Sequence, residues 1–276
     1  MPPIPTRAPG QQVVVGVLLS VTLASCAPGE AVPEEEETVD QGALVTLIRD
    51  GKPVFGVFSG EMTREQGAVM ARTSDADFIL YSMEDGPFDV AGMAAYLEGM
   101  EEAAGPTALS DLPVILRVPP IEDAEVTRTQ LDEALPTGIA GIVFPHAARP
   151  EQAAVAAALM GEAWPQNPEG SLLNILIVED KEGIANAREI VSTPGLSVVF
   201  AGPGDLRRAY DGDMEAVENA IQTVLGACLE SGVVCGITAG VEDIGARLDE
   251  GWGMIIVTQP EAVAVGKAHA GRGDQE

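Results

Sequence analysis

The sequence predicts a single (β/α)8 barrel, and three observations carry the prediction. Short apolar runs alternate with helical segments eight times over about 230 residues, the length such a barrel needs. The runs are apolar throughout, as strands must be in a parallel sheet covered on both faces. No G-x-G-x-x-G follows the first run, so a doubly wound dinucleotide-binding sheet lacks its main support. Aromatic residues make up only 4% of the 276, and Ala, Val, Gly and Leu dominate the core-forming runs, which suits helix-on-sheet layers.

Residues 1–42 stand apart from this pattern. Arg7 is the one side-chain charge in Met1–Ser25, and Val13–Ala24 is an apolar run too short for a comfortable membrane span. A basic start and a short apolar core read as a secretory signal peptide. The run ends in Leu23-Ala24-Ser25-Cys26, which resembles the bacterial lipoprotein signal, with Cys26 as the lipidated residue. An ordinary signal peptide or a chance cysteine are the alternatives. Residues 26–42 hold Glu34–Glu37 and no base, and are expected to form an acidic, disordered tether. The expected layout is therefore a signal segment over 1–25, a tether over 26–42 and a barrel over 43–272. It implies an exported protein, lipid-anchored to a bacterial membrane and facing the periplasm or the cell surface.

The elements of the body follow in order. The first strand is Pro53–Ser59 and the first helix Arg64–Thr73, opened by Thr63 as N-cap. Asp77–Ser82 precedes a helix around Val90–Ala103. Pro113–Val118 precedes Asp123–Leu135, and Ala140–Phe144 precedes the alanine-rich Glu151–Ala163. The fifth and sixth strands, Leu172–Val178 and Leu196–Ala201, flank a helix over Lys181–Val191. Met214–Ser231 has Val217, Ala220, Ile221, Val224 and Leu225 at helical spacing. Val233–Ile237, Val241–Glu250, Met254–Thr258 and Pro260–Ala270 complete the eight steps. Cys228 and Cys235 fall on a helix and on the next strand; pairing in an exported protein is the alternative, and the expectation is two separate core residues.

In such a barrel the functional residues lie at the C-terminal ends of the strands. Those ends read Ser59-Gly60-Glu61, Ser82-Met83-Glu84-Asp85-Gly86, Arg117, Pro145-His146, Glu179 and Gly202-Pro203-Gly204-Asp205. Glu179 and Asp205 end adjacent strands, as a hard-cation site for Mg2+ or Mn2+ would require; a helix cap and a turn acid are the alternative. Arg117 within an apolar strand needs an anion, either a substrate carboxylate or a neighbouring acid. His146 has the composition of a base and the position of a capping or packing residue. With 43 acids against 15 bases, net charge −28 and no basic patch, nucleic acid is excluded as a partner, and a membrane enters only through the N-terminal lipid.

The strings FGVFSGE, DFILYSMEDGPFD, PVILRVPP, GIVFPHAARPEQA, ILIVEDKEGIANAREI and PGLSVVFAGPGDL, in this order and spacing, resemble the HpcH/HpaI aldolase and citrate lyase β-subunit family. The resemblance runs from about Gly51 to Pro260. It implies a barrel that exchanges its last helix between subunits of a homo-trimer or hexamer. It implies a divalent metal ion, Mg2+ or Mn2+, on Glu179 and Asp205, and Arg117 on the oxygen of a 2-keto acid such as pyruvate. It also implies that the backbone at Gly202, Pro203 and Gly204 receives the substrate carboxylate, and that the reaction is reversible carbon–carbon cleavage. Two departures matter. Where aldolases of the family have an aspartate and a histidine after the second strand, this chain has Ser82 and Asp85, so Asp85, beside Glu84, becomes the candidate for acid–base work. The glutamine two residues before the metal glutamate is Ile177. The expectation is a metal-dependent lyase; the rivals are a non-catalytic carboxylate-binding protein and an acyl-CoA lyase.

Overall fold

The computed structural model describes residues 42–273. The proposed signal segment, Cys26 and nearly all of the tether lie outside them. Eight parallel strands, β1 (Val54–Phe58), β2 (Phe78–Ser82), β3 (Val114–Arg117), β4 (Gly141–Phe144), β5 (Leu173–Val178), β6 (Val198–Ala201), β7 (Val234–Ala239) and β8 (Met254–Val257), close into a barrel in sequence order. Alternation along each strand splits the apolar residues into two clusters. Val54, Phe78, Leu80, Ile115, Val143, Ile175, Ile177, Phe200 and Ile256 fill the interior. Phe55, Ile79, Leu116, Ile142, Leu176, Val199, Ile237 and Ile255 face the surrounding helices.

The interior rings need room. A Cβ at Gly56 would stand 2.2 Å from the Phe78 ring, and one at Gly236 would stand 2.2 Å from Phe200. A short helix, Ala43–Arg49, buries Leu44, Val45 and Ile48 in the same interior cluster and covers the N-terminal end of the barrel. Seven residues offer too little periodicity to be read as a helix from sequence. The helices Arg64–Thr73 and Ala124–Ala134 start at Thr63 and Asp123, whose side chains accept first-turn N–H groups. The predicted helix Lys181–Val191 is two, Lys181–Ala185 and Ala187–Val191. It breaks at Asn186, whose Nδ2 donates to Ala148 O at 2.8 Å. An additional helix, Pro203–Ala209, follows β6.

Helices Arg64–Thr73 and Val90–Ala104 meet through glycines. A Cβ at Gly67 would fall 2.1 Å from Tyr96 O, and one at Gly99 would fall 2.1 Å from Arg64 O. Because backbone atoms stand in the way, Gly67→Ala must push the helices apart. It is expected to cost about 3 kcal/mol, read as a lower urea midpoint at unchanged slope.

Cys228 and Cys235 form a disulfide, with Cα atoms 5.7 Å apart. This corrects the expectation of two separate thiols. The helix Met214–Ser231 ends on Gly232 in the left-handed conformation (φ 69°), which folds the chain straight back into β7. Cys235 faces outward from β7 into the layer that holds Cys228. The last helix, Ala262–His269, seats on its own barrel, with Gly266 against the Phe55 ring. Just beyond it Arg272 makes a two-pronged pair with Asp77 at 2.7 and 2.8 Å. Among the described residues no helix is long and apolar enough to cross a membrane.

Candidate active site

Strand parity builds the site. Ser82 and Arg117 are paired in register between β2 and β3, and both face into the C-terminal mouth of the barrel. Ser82 Oγ accepts from Arg117 Nε at 2.9 Å. Two residues further on, Glu84 returns to the same face, and its Oε2 meets Arg117 Nη1 at 2.9 Å. The arginine predicted to need an anion has therefore found one in its own chain. Among the described residues its Nη2 has no partner. The guanidinium is largely buried, with 22% of its side chain exposed.

Glu179 is the first residue after β5 and is buried, at 3% exposure. Its neighbour across the sheet is Gly202, where a Cβ would stand 2.5 Å from Glu179 Oε2 and 2.7 Å from its Cβ. Only glycine leaves this carboxylate its space. The other oxygen, Oε1, accepts the backbone N–H of His146 at 2.9 Å. Burial pushes the Glu179 carboxyl up to about 7, and the charges of Asp205 and Glu84 add to the rise; the His146 hydrogen bond and ring oppose it.

The imidazole of His146 lies between the two glutamates. Nε2 is 3.4 Å from Glu84 Oε1, and Nδ1 is 3.3 Å from Glu179 Oε1. His146 adopts φ 54°, a left-handed conformation that non-glycine residues seldom take and that concentrates at functional sites. It is anchored on both sides, by its own N–H to Glu179 and by Ala147 N–H to Ile177 O at 2.9 Å. Glu84, His146 and Glu179 each offer a donor atom within 4.8 Å of the others.

The other predicted residues lie around this cluster. Asp205 sits in the first turn of Pro203–Ala209, is paired with Arg208, and is near enough for its charge to act on Glu179. The first-turn N–H groups of Gly204 and Asp205 are not used by the helix ladder; Pro203 has none to offer. Asp85 is exposed on the turn and takes no part in the cluster among the described residues. Its neighbour Glu84 is the acid that faces the mouth, because the pleat of β2 continues through Met83. The Ile177 side chain belongs to the barrel interior, below Glu179. The role of His146 is not legible from sequence, since its direction depends on one unusual backbone angle. Its position after a strand end, as one of two histidines in the chain, was the available signal.

Two carboxylates and an imidazole at this spacing, one carboxylate buried with its ionisation suppressed, have the chemistry of a divalent-cation site. The HpcH/HpaI aldolase/citrate lyase family model matches residues 56–255. A hydroxypyruvate/pyruvate aldolase of Delftia acidovorans is 29% identical over 227 residues, which cover 75% of this chain and 81% of that one. A 2-dehydro-3,6-dideoxy-6-sulfogluconate aldolase of Pseudomonas putida is 26% identical over 216 residues, 70% and 81% of the respective chains. A crystal structure of an HpcH/HpaI aldolase/citrate lyase family protein from Burkholderia cenocepacia superposes with a TM-score of 0.67 at 22% identity, over 82% of this chain and 96% of that one. With the family match spanning β1 to β8 and the strand-end acids and arginine converging on one mouth, the chain belongs to the HpcH/HpaI aldolase/citrate lyase family.

Proposed function

We propose that this protein is a divalent-metal-dependent carbon–carbon lyase acting on a 2-keto acid such as pyruvate. The observation that carries the reading is the convergence of Arg117 and Glu179 on the C-terminal mouth, with a ligand set for an ion beside a guanidinium whose N–H groups are not all engaged among the described residues. Glu179 would hold the ion, with Asp205 adjacent. Bound there, a divalent cation supplies Lewis-acid polarisation of a carbonyl oxygen. Arg117, fixed by Ser82 and Glu84, would offer its remaining N–H groups to the oxygen on which negative charge develops. The backbone at Gly202–Gly204 lines the neighbouring wall, where first-turn N–H groups suit a carboxylate. The aldolases among its relatives support the substrate class.

The test is exchange of the pyruvate methyl protons in D2O, followed by proton NMR with and without Mn2+ or Mg2+. It reads carbanion formation without requiring the aldehyde partner to be known. Metal-dependent exchange, abolished in Glu179→Ala, is expected. Binding of metal and pyruvate without exchange would replace the lyase with a carboxylate-binding protein on the same scaffold.

We also read the protein as exported and lipid-anchored through Cys26, and as a homo-trimer or hexamer. The Cys228–Cys235 disulfide supports the first reading, because disulfides persist in oxidising compartments. Cys26→Ser is expected to move the protein from the membrane to the soluble fraction; an unchanged distribution would overturn the anchor. Sedimentation of the purified protein tests the assembly, which a monomer would refute.

A further inference from the structure

We propose that the aldehyde fragment of the reaction lies on the β7–β8–β1 wall of the mouth, and that this wall selects an uncharged hydroxyaldehyde over an aldehyde that carries a carboxylate of its own. The inference rests on the lyase reading above and names the second substrate by class. The bond in question joins the pyruvate methyl carbon, once it has lost a proton, to the aldehyde carbon. The aldehyde oxygen takes up a proton, and a 4-hydroxy-2-keto acid results. The ionisable side chains of the mouth described above stand on the arc from β2 to β6. Strand parity places different chemistry on the rest of the rim. Gly56 of β1 and Gly236 of β7 face the interior rings of Phe78 and Phe200, and Ile256 of β8 belongs to the interior cluster. Two residues further along, Phe58, Thr238 and Thr258 therefore stand at the inner edge of the mouth. They are neighbours, because Ile256 pairs in register with both Thr238 and Gly56 where β7, β8 and β1 adjoin.

This wall carries no charge. Phe58 leaves 47% of its surface exposed, an apolar face for the carbon chain of a ligand. The Thr238 hydroxyl has no hydrogen-bond partner among the described residues, so it is able to donate to or accept from a substrate hydroxyl. Thr258 Oγ1 donates to Ala239 O at 3.4 Å and keeps its lone pairs. Together with Pro203, the two threonines also line a cleft of about 520 Å3, within the size range of small-ligand pockets. The charges of that cleft oppose a second anion. Arg247 is taken up by a two-pronged pair with Glu218, at 2.7 Å from each oxygen, and Arg207 is outnumbered by Glu242 and Asp243. The net charge of −28 adds to this repulsion. A carboxylate entering here would lose its water and gain no uncompensated cation, whereas a hydroxyl exchanges water for threonine at little cost.

The test uses the full chain with Mn2+ and pyruvate. It compares glycolaldehyde and glyceraldehyde with glyoxylate and succinic semialdehyde as acceptors, the addition products being followed by proton NMR. The kcat/KM values are expected to favour the hydroxyaldehydes by about ten-fold or more. Thr238→Val and Phe58→Ala are expected to raise KM for glycolaldehyde by about ten-fold and to move KM for pyruvate by less than about two-fold, a split that a general loss of structure does not produce. Thr258→Arg, at an exposed position, supplies the missing cation and should shift the ratio towards succinic semialdehyde by about ten-fold or more. Equal or greater use of the acidic aldehydes by the unsubstituted protein overturns the inference and leaves the lyase reading in place. So does pyruvate methyl exchange without addition to any of these aldehydes. Absence of both exchange and addition removes the lyase reading, and the inference with it.

Discussion

Metal-free Glu179→Gln is expected to be more stable than the unsubstituted protein by about 3 kcal/mol at pH 8, and by under about 1 kcal/mol at pH 5. The sign follows from the direction of the shift. A carboxyl held at about 7 in the folded chain, against 4.5 ordinarily, is raised because burial penalises its charged form. Between these values the folded state binds the proton more tightly than the unfolded chain, so stability falls as pH rises through this window and levels off above it. Glutamine keeps a carbonyl oxygen for the His146 N–H and removes the charge. Urea denaturation at the two pH values, in the presence of chelator, is the measurement; equal pH dependence in both proteins would show that Glu179 is not the source. A divalent cation should reverse the order once it is well above its Kd, stabilising the unsubstituted protein by an amount that rises with the logarithm of cation concentration and leaving Glu179→Gln little changed. A buried carboxylate that weakens the empty protein and strengthens the loaded one is the trade expected of a ligand rather than of a structural acid.

The barrel was legible because a parallel strand covered on both faces cannot hide its apolar character. Runs such as Leu173–Val178 and Val198–Ala201 announce themselves, and the residue after each lies on the functional rim. Glu179 and Arg117 were legible for the same reason: each is a charge at the end of an apolar strand. Between Glu84 and Asp85 the choice turned on whether the pleat of β2 persists past Ser82, which two adjacent acids in a glycine-containing turn do not reveal. His146 required a backbone conformation that its residue type disfavours, so no local propensity pointed to it. The disulfide depended on the tightness of the turn at Gly232, and the helix Ala43–Arg49 on an interior that exists only once the strands have closed. What was missed is long-range or conformationally unusual, and most of it sits at the mouth or the base of the barrel. Local rules are expected to fail first at such places.

Arg117→Lys is expected to lower the rate of pyruvate methyl exchange by about 100- to 1000-fold while changing stability by less than about 1 kcal/mol. Lysine keeps the positive charge beside Glu84, so the buried acid is not left unpaired and the barrel should stand. It cannot keep the geometry. Arg117 places Nε on Ser82 and Nη1 on Glu84, and these two contacts fix the plane of the guanidinium at the mouth, where Nη2 has no partner among the described residues. A lysine ammonium has one nitrogen on a flexible stem, and pairing with Glu84 draws it away from the substrate. The loss should therefore fall on turnover more than on pyruvate binding, because the missing donor is directed at charge that grows only as the carbanion forms. Ser82→Ala frees one of the two bonds that orient the fork and should cost about ten-fold, an intermediate loss that a purely electrostatic role for Arg117 does not produce. Exchange rates and pyruvate affinities measured side by side for both variants check this. Full activity in Arg117→Lys would mean that charge alone suffices, and that the Ser82–Arg117–Glu84 arrangement serves the fold and not the reaction.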